Sequence, residues 1–118
     1  MRFFITQAAR IAAWLLTVAI IVLSLVPPSL RPETDAPHSL EHFAIFFATG
    51  VVFGSGYGRR PVTVSVALVF FAGAIELAQI IVPGRHARLS DFIIDALAAC
   101  VGVAIAFFVT ERTLEQSV

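Results

Sequence analysis

The sequence predicts an all-α, polytopic membrane protein with four transmembrane helices packed as a small bundle. Of its 118 residues, 58% are hydrophobic and 14% are charged, whereas a soluble domain is about half apolar and about a quarter charged. A chain of this length cannot bury so much apolar surface in a water-soluble core. The apolar residues also fall into four runs, each close to the roughly 20 residues that a helix needs to cross a bilayer.

Breaks in the apolar pattern define the four runs. The first run ends at Pro27 and Pro28, a pair that helices rarely tolerate. This run is similar to a signal peptide, but no small-residue cleavage site follows it, so we interpret it as an uncleaved anchor. The predicted spans of the single domain, residues 1–118, are 8–26, 40–57, 62–82 and 92–109.

Small residues recur at intervals of four within two of the predicted spans. They are Gly50, Gly54 and Gly58 in the second span, and Ala98, Gly102 and Ala106 in the fourth. Small residues on one face of a helix let a second helix approach closely where lipid removes the hydrophobic drive for packing. We therefore predict that Gly54 faces another helix at close range.

The arginines predict the orientation of the chain in the membrane, because basic residues are enriched on the cytoplasmic side. If all four runs span, five arginines lie on the side of the two termini and three lie on the other side. The two groups are Arg2, Arg10, Arg59, Arg60 and Arg112 against Arg31, Arg85 and Arg88. We predict a bacterial inner-membrane protein with both termini in the cytoplasm and the loop of residues 83–90 outside.

Composition and motifs exclude several functional classes. The formal net charge is zero, so no basic face favours nucleic acid as a partner. Cys100 is the only cysteine. It cannot form an internal disulfide or a cysteine metal cluster, and it is expected to be buried. The absence of a phosphate-binding loop, a nucleophile elbow and a helical zinc motif favours a non-catalytic protein, with an enzyme left open.

Ionisable side chains interrupt the apolar runs near one end of the predicted bundle. Glu76 lies roughly 9 Å below the outer boundary of its span, at 1.5 Å per residue. Gln79 shares its helix face, and Asp91 and Asp95 share a face at the start of the fourth span. An ionisable residue inside a membrane segment is costly, and it usually faces protein or water for a purpose.

Two interpretations of Glu76 remain open. Glu76 can form a single buried pair with Arg85 or Arg88 that ties two helices together. Alternatively, it belongs to a polar pocket that opens to the outer leaflet. The predicted binding residues of that pocket are His42, Glu76, Gln79, Arg85, Asp91 and Asp95.

The start of the fourth span has a partial structural explanation. Ser90 can cap the first free N–H groups, and Asp91 in the first turn complements the helix dipole. Asp95 lies one turn deeper, where a second carboxyl needs a partner such as His42 or a loop arginine.

Two histidines at the entrance to the second span raise the possibility of a metal site. His38 and His42 are one helical turn apart, a usable spacing for two metal ligands. Glu41, His86 and Asp91 are further candidate ligands. The set matches no complete zinc motif, so we predict neither a metal ion nor another cofactor.

Motifs in the second half of the chain resemble those of the VanZ-like family. They are His42-Phe43 opening a span, Glu76-x-x-Gln79 near the end of the next span, Pro83-Gly84-Arg85, and Asp91 after a serine. The resemblance covers roughly residues 40–106. It implies a four-helix membrane protein, and the family is named for a small protein associated with teicoplanin resistance.

The resulting functional prediction is an outward-facing polar pocket that recognises an envelope lipid, a lipid-linked precursor or a glycopeptide. Two other classes remain open. One is a non-catalytic accessory or assembly subunit of a larger membrane complex, suggested by the small size and the glycine stripe. The other is a small intramembrane enzyme that acts on a lipid-linked substrate. The expected partners are membrane lipid and either a membrane protein or a second copy of this chain.

Overall fold

The computed structural model describes residues 2–26, 38–82 and 88–116, without the side chains of residues 2, 38, 39 and 113–115. Within these ranges the chain forms four helices and no strand. The helices are α1 (Arg2–Leu25), α2 (His38–Gly56), α3 (Pro61–Gln79) and α4 (Leu89–Gln116). The predicted all-α fold class is confirmed.

Three of the helices are long and apolar enough to cross a membrane. These stretches are Phe3–Leu25, Pro61–Gln79 and Leu89–Arg112, and α2 contributes a shorter apolar stretch, Leu40–Gly56. Many large apolar side chains point outward, among them Phe70, which is 75% exposed. Lipid is as apolar as these side chains, so the bundle does not need to bury them.

The helix α3 ends earlier than predicted, and its C-terminal turn is tighter than an α-helical turn. The helix ends at Gln79, whereas the predicted span continued to residue 82. Residues 80–82 instead donate their N–H groups to carbonyls three residues earlier, at 3.2–3.3 Å. Bonds of this type often tighten a last turn and satisfy carbonyls that the helix leaves free.

The start of α4 also differs from prediction. The helix begins at Leu89, so Ser90 lies inside the first turn rather than at the cap position. The Phe92 N–H donates to the carbonyl oxygen of Arg88 at 3.2 Å. Arg88 therefore occupies the cap position, with its own N–H group left for a partner outside the helix.

The most extensive helix pair is α2 against α4, and glycines line it. A Cβ atom on Gly50 would overlap the carbonyl oxygen of Ala99, and one on Gly102 would overlap the backbone of α2. A Cβ atom on Gly54 would lie 2.9 Å from the Cβ atom of Ala106. The predicted close approach at Gly54 is confirmed, and its partner is α4.

All four helices contribute buried residues to the apolar core. Its buried members are Ile20, Phe46, Leu68, Ala72, Ile75, Ala98, Ala99 and Val103. The buried residues of α3 recur at helical spacing and continue from this core through Glu76 to Gln79. The apolar face of α3 thus carries a carboxyl and an amide into the protein interior. Cys100, which was expected to be buried, is only half-buried.

Arg10 joins α1 to the end of α2. Its Nε–H donates to the carbonyl oxygen of Gly56 at 2.8 Å, and its guanidinium lies 4.7 Å from the centre of the Tyr57 ring. A cation at a helix C-terminus compensates the exposed carbonyls. The Trp14 Nε1–H donates to the Tyr57 hydroxyl at 3.0 Å. We call this region the arginine end, and the opposite region, where α2 and α4 begin, the acidic end.

The α2–α4 contact predicts that one added methyl group destabilises the bundle. Alanine normally gains about 0.5–1 kcal/mol over glycine inside a helix, but overpacking costs about 1–3 kcal/mol. Gly50→Ala should therefore lower the thermal melting temperature in detergent. Gly73→Ala is the matched control, since its nearest neighbour is the edge of the Phe92 ring at 3.3 Å, and it should melt near the wild type. Equal melting of the two variants would contradict the close contact.

Candidate functional site

Three helix ends converge at the acidic end and bring three ionisable side chains into the interior. His42 lies in the second turn of α2, Glu76 in the last turn of α3, and Asp95 in the second turn of α4. Their exposed fractions are 7%, 6% and 0%. Each offers one nitrogen or oxygen atom, and these atoms lie within 4.8 Å of one another. We call these residues the His–Glu–Asp cluster.

His42 and Asp95 form the shortest polar contact in the cluster. The Nδ1 atom of His42 lies 2.9 Å from Oδ1 and 3.2 Å from Oδ2 of Asp95. An ionised carboxylate can only accept hydrogen bonds. In that state the Nδ1–H group of His42 is the donor, and Nε2 of the neutral ring is an acceptor. The pair fixes the orientation of the imidazole. The sequence analysis named His42 as a candidate partner of Asp95, and the structure brings these two residues together.

The two carboxylate oxygens of Glu76 have different surroundings. Oε2 accepts a hydrogen bond from the backbone N–H of Arg88 at 3.2 Å. Oε1 is buried and has no hydrogen-bond partner among the described residues. Arg88 therefore contacts Glu76 through the cap of α4 rather than through its guanidinium, and Arg88 itself is exposed. Buried oxygens without partners are uncommon, because each costs about 1–3 kcal/mol.

Of the other predicted site residues, two are described and buried, and one lies outside the described residues. Gln79 is 4% exposed and Asp91 is 6% exposed. Asp91 lies in the first turn of α4, close enough to interact electrostatically with Glu76. Arg85 lies outside the described residues, as do all of residues 83–87. The predicted opening to the outer leaflet therefore stays a prediction.

The backbone of the acidic end favours negative charge. The N-termini of α2 and α4 both lie there, and a helix N-terminus carries a positive partial charge of about half a unit. Glu41 and Asp91 occupy the first turns of these two helices. The dipoles reduce the cost of grouping several acids within an apolar bundle.

The described cavity lies away from the cluster. A space of about 1380 Å³ opens at the arginine end and is lined by Arg10, Trp14, Tyr57, Thr63 and Phe107 among others. Its walls come from all four helices. Sequence reasoning missed this region, although an arginine early in α1 and an aromatic residue after α2 were available signals.

The metal interpretation changes with the structure. The sequence analysis considered ligands that are near one another along the chain, such as His38 and His42, and it predicted no metal ion. The side chain of His38 lies outside the described set. The residues that the structure brings together as possible ligands are instead His42, Glu76 and Asp95, one from each of three helices. Nothing in their sequence spacing indicates a common site.

The fold and the cluster define a class of protein, a small polytopic helical membrane protein with a buried acid–histidine cluster at one end. A family model described as VanZ/LLP1 matches residues 3–110. The chain belongs to the VanZ/LLP1 family, which confirms the resemblance found in its motifs. Neither a curated protein nor a solved structure matches the chain.

The His42–Asp95 contact predicts non-additive effects of substitution. His42→Ala and Asp95→Ala should each lower thermal stability in detergent, because each leaves a buried polar partner behind. The double variant should lose less than the sum, by about 0.5–3 kcal/mol. Asp95→Ala combined with Trp14→Phe, at the arginine end, is the control pair and should be additive. Additive losses of stability in both pairs would show that His42 and Asp95 do not interact energetically.

Proposed function

We propose that this protein recognises the polar part of an envelope lipid, a lipid-linked precursor or a glycopeptide at its acidic end. The observation that carries the proposal is the His–Glu–Asp cluster. Three ionisable side chains are buried together in a chain that is otherwise strongly apolar. Burying them is expensive, and intramembrane ionisable groups usually mark a functional site.

The chemistry of the cluster suggests what such a ligand offers. Ionised carboxylates accept hydrogen bonds and cannot donate them. The buried oxygen of Glu76 with no described partner is one such acceptor. Hydroxyl, amide and ammonium groups are suitable donors, and sugars and peptides carry them. These groups occur in lipid-linked precursors and in glycopeptides, which supports those ligands over a lipid with an apolar or purely anionic head.

The orientation of the bundle belongs to the same proposal. The acidic end faces the outer side of the inner membrane, and both termini are cytoplasmic. The arginine asymmetry supports this orientation, and Arg10, Arg59 and Arg60 lie with the turn between α2 and α3 at the opposite end. A ligand of the cell envelope would then approach the cluster from outside.

The alternatives have unequal support. The accessory-subunit alternative drew on the glycine stripe, but Gly50, Gly54 and Gly102 are used inside the bundle, between α2 and α4. An intramembrane enzyme has one specific observation in its favour. An imidazole oriented by Asp95 beside Glu76 is a usable arrangement for general acid–base chemistry. Turnover of a lipid-linked substrate that disappears with Glu76→Gln would favour the enzyme.

Thiol labelling tests the orientation. In a Cys100→Ala background, Ser90→Cys should react with a membrane-impermeant thiol reagent on intact cells, because Ser90 is exposed at the acidic end. Gly58→Cys, at the arginine end, should react only after the membrane is opened. The reverse pattern would invert the proposed topology.

Native mass spectrometry tests the proposed ligand. Protein extracted gently from bacterial membranes should retain a bound envelope molecule, and the purified protein should bind an added lipid-linked precursor or glycopeptide. A hydrogen bond to a charged group contributes about 1.5–3 kcal/mol, so Glu76→Gln should weaken binding about tenfold or more. Glu111→Gln is the control, since Glu111 is an exposed acid at the other end. Equal binding by both variants would show that the His–Glu–Asp cluster does not bind the ligand.

A further inference from the structure

The His–Glu–Asp cluster has the composition of a metal site. It contains one imidazole and two carboxylates, and each comes from a different helix. Zinc is bound in proteins by imidazole nitrogen, carboxylate oxygen and thiolate sulfur. Sites with three protein ligands leave a fourth position for water or another molecule. All three side chains are more than nine-tenths buried, so bulk water does not compete strongly for them.

A second observation points to an occupant. The Oε1 atom of Glu76 is buried without a hydrogen-bond partner among the described residues, while Oε2 accepts from the Arg88 N–H. The His42–Asp95 pair does not explain this oxygen. A cation within the cluster would satisfy it, and the backbone hydrogen bond to Oε2 would hold the carboxylate in place, as outer partners of metal ligands do.

We propose that His42, Glu76 and Asp95 bind one divalent metal ion, with zinc as the best match. Ligand atoms of a tetrahedral zinc ion lie roughly 3.3 Å apart, given bonds of about 2.0–2.1 Å. The Nδ1 atom of His42 lies 2.9–3.2 Å from the carboxylate oxygens of Asp95, and all three ligand atoms lie within 4.8 Å. Zinc at Nδ1 would replace the hydrogen bond between His42 and Asp95, and the imidazole proton would then be on Nε2.

The charges support the same assignment. Two ionised carboxylates and a neutral imidazole carry two negative charges, which a divalent cation balances. A charge-balanced group is far less costly than isolated ions in an apolar interior. The ligand types also separate the candidates, because mixed imidazole and carboxylate ligands suit zinc better than calcium or magnesium, which prefer oxygen alone.

The metal site goes beyond the proposed ligand recognition and does not require it. With the ion bound, Glu76 Oε1 would contact the zinc and not the envelope molecule, and the open position of the ion would accept a hydroxyl or amide oxygen of that molecule. Binding of an envelope molecule to the ion rests on the proposed function, whereas binding of the ion itself does not. The two ideas have separate readouts, metal content for one and bound envelope molecule for the other.

Metal analysis of the full-length protein provides the test. The protein is purified in detergent without chelators, through a tag that contains no histidine, and its metal content is measured by mass spectrometry. The expected result is about one zinc ion per chain, falling to about one tenth or less in Glu76→Gln and Asp95→Asn, which remove ligands and keep side-chain size. Glu111→Gln is the control and should keep its zinc.

A zinc titration covers the case in which the ion is lost during purification or a variant folds poorly. Wild-type protein stripped with EDTA should melt at a higher temperature after zinc chloride is added, because a ligand of the folded state stabilises it. Glu76→Gln should show no such rise. Protein that binds zinc but none of the proposed envelope molecules would defeat the proposed function alone. Protein that binds an envelope molecule but neither contains zinc nor responds to it would defeat this inference alone.

Three results would overturn the metal site. The first is wild-type protein that contains no zinc and does not respond to added zinc. The second is an equal rise in melting temperature for wild type and Glu76→Gln, which indicates binding elsewhere. The third is loss of zinc in His38→Gln while Glu76→Gln keeps it, which would assign the ion to the histidines at the entrance of α2.

Discussion

The close contact between α2 and α4 is the constraint on which the rest of the structure depends. Gly50 and Gly102 let the two backbones meet with no side chain between them. This approach brings His42 and Asp95, 53 residues apart in the chain, into a 2.9 Å contact. A wider spacing would leave both groups buried and apart, at a much higher electrostatic cost. Packing of small residues thus sets the geometry of the polar cluster.

Charged side chains pair with different backbone groups at the two ends of the bundle. At the arginine end, Arg10 lies on the carbonyl of Gly56 and over the Tyr57 ring, so the cation completes a helix end. At the acidic end, the N–H group at the cap of α4 donates to the Glu76 carboxylate, and acids lie in the first turns of α2 and α4. Both arrangements follow the helix dipole. Only the acidic end retains a buried polar atom with no described partner, the Oε1 atom of Glu76.

The Glu76 oxygen with no described partner distinguishes the acidic end from a simple structural ion pair. A structural ion pair would have satisfied each buried oxygen, because unsatisfied groups reduce stability. The cap of α4 satisfies one oxygen of Glu76, and the other oxygen has no hydrogen-bond partner among the described residues. In a protein with so few charged residues, this buried oxygen supports the proposed binding role of the acidic end.

The sequence by itself determined the membrane class, the helix count and the glycine contact, because composition, run length and four-residue spacing are local properties. It also placed His42, Glu76 and Asp95 in one predicted polar pocket, with His42 as a candidate partner of Asp95. Tertiary structure decided that the Arg88 backbone contacts Glu76, that Ser90 lies within α4, and that three helices supply one cluster. Ligand groups separated by 34 and 19 residues leave no motif, since their distance depends on how closely the helices pack and not on their spacing along the chain.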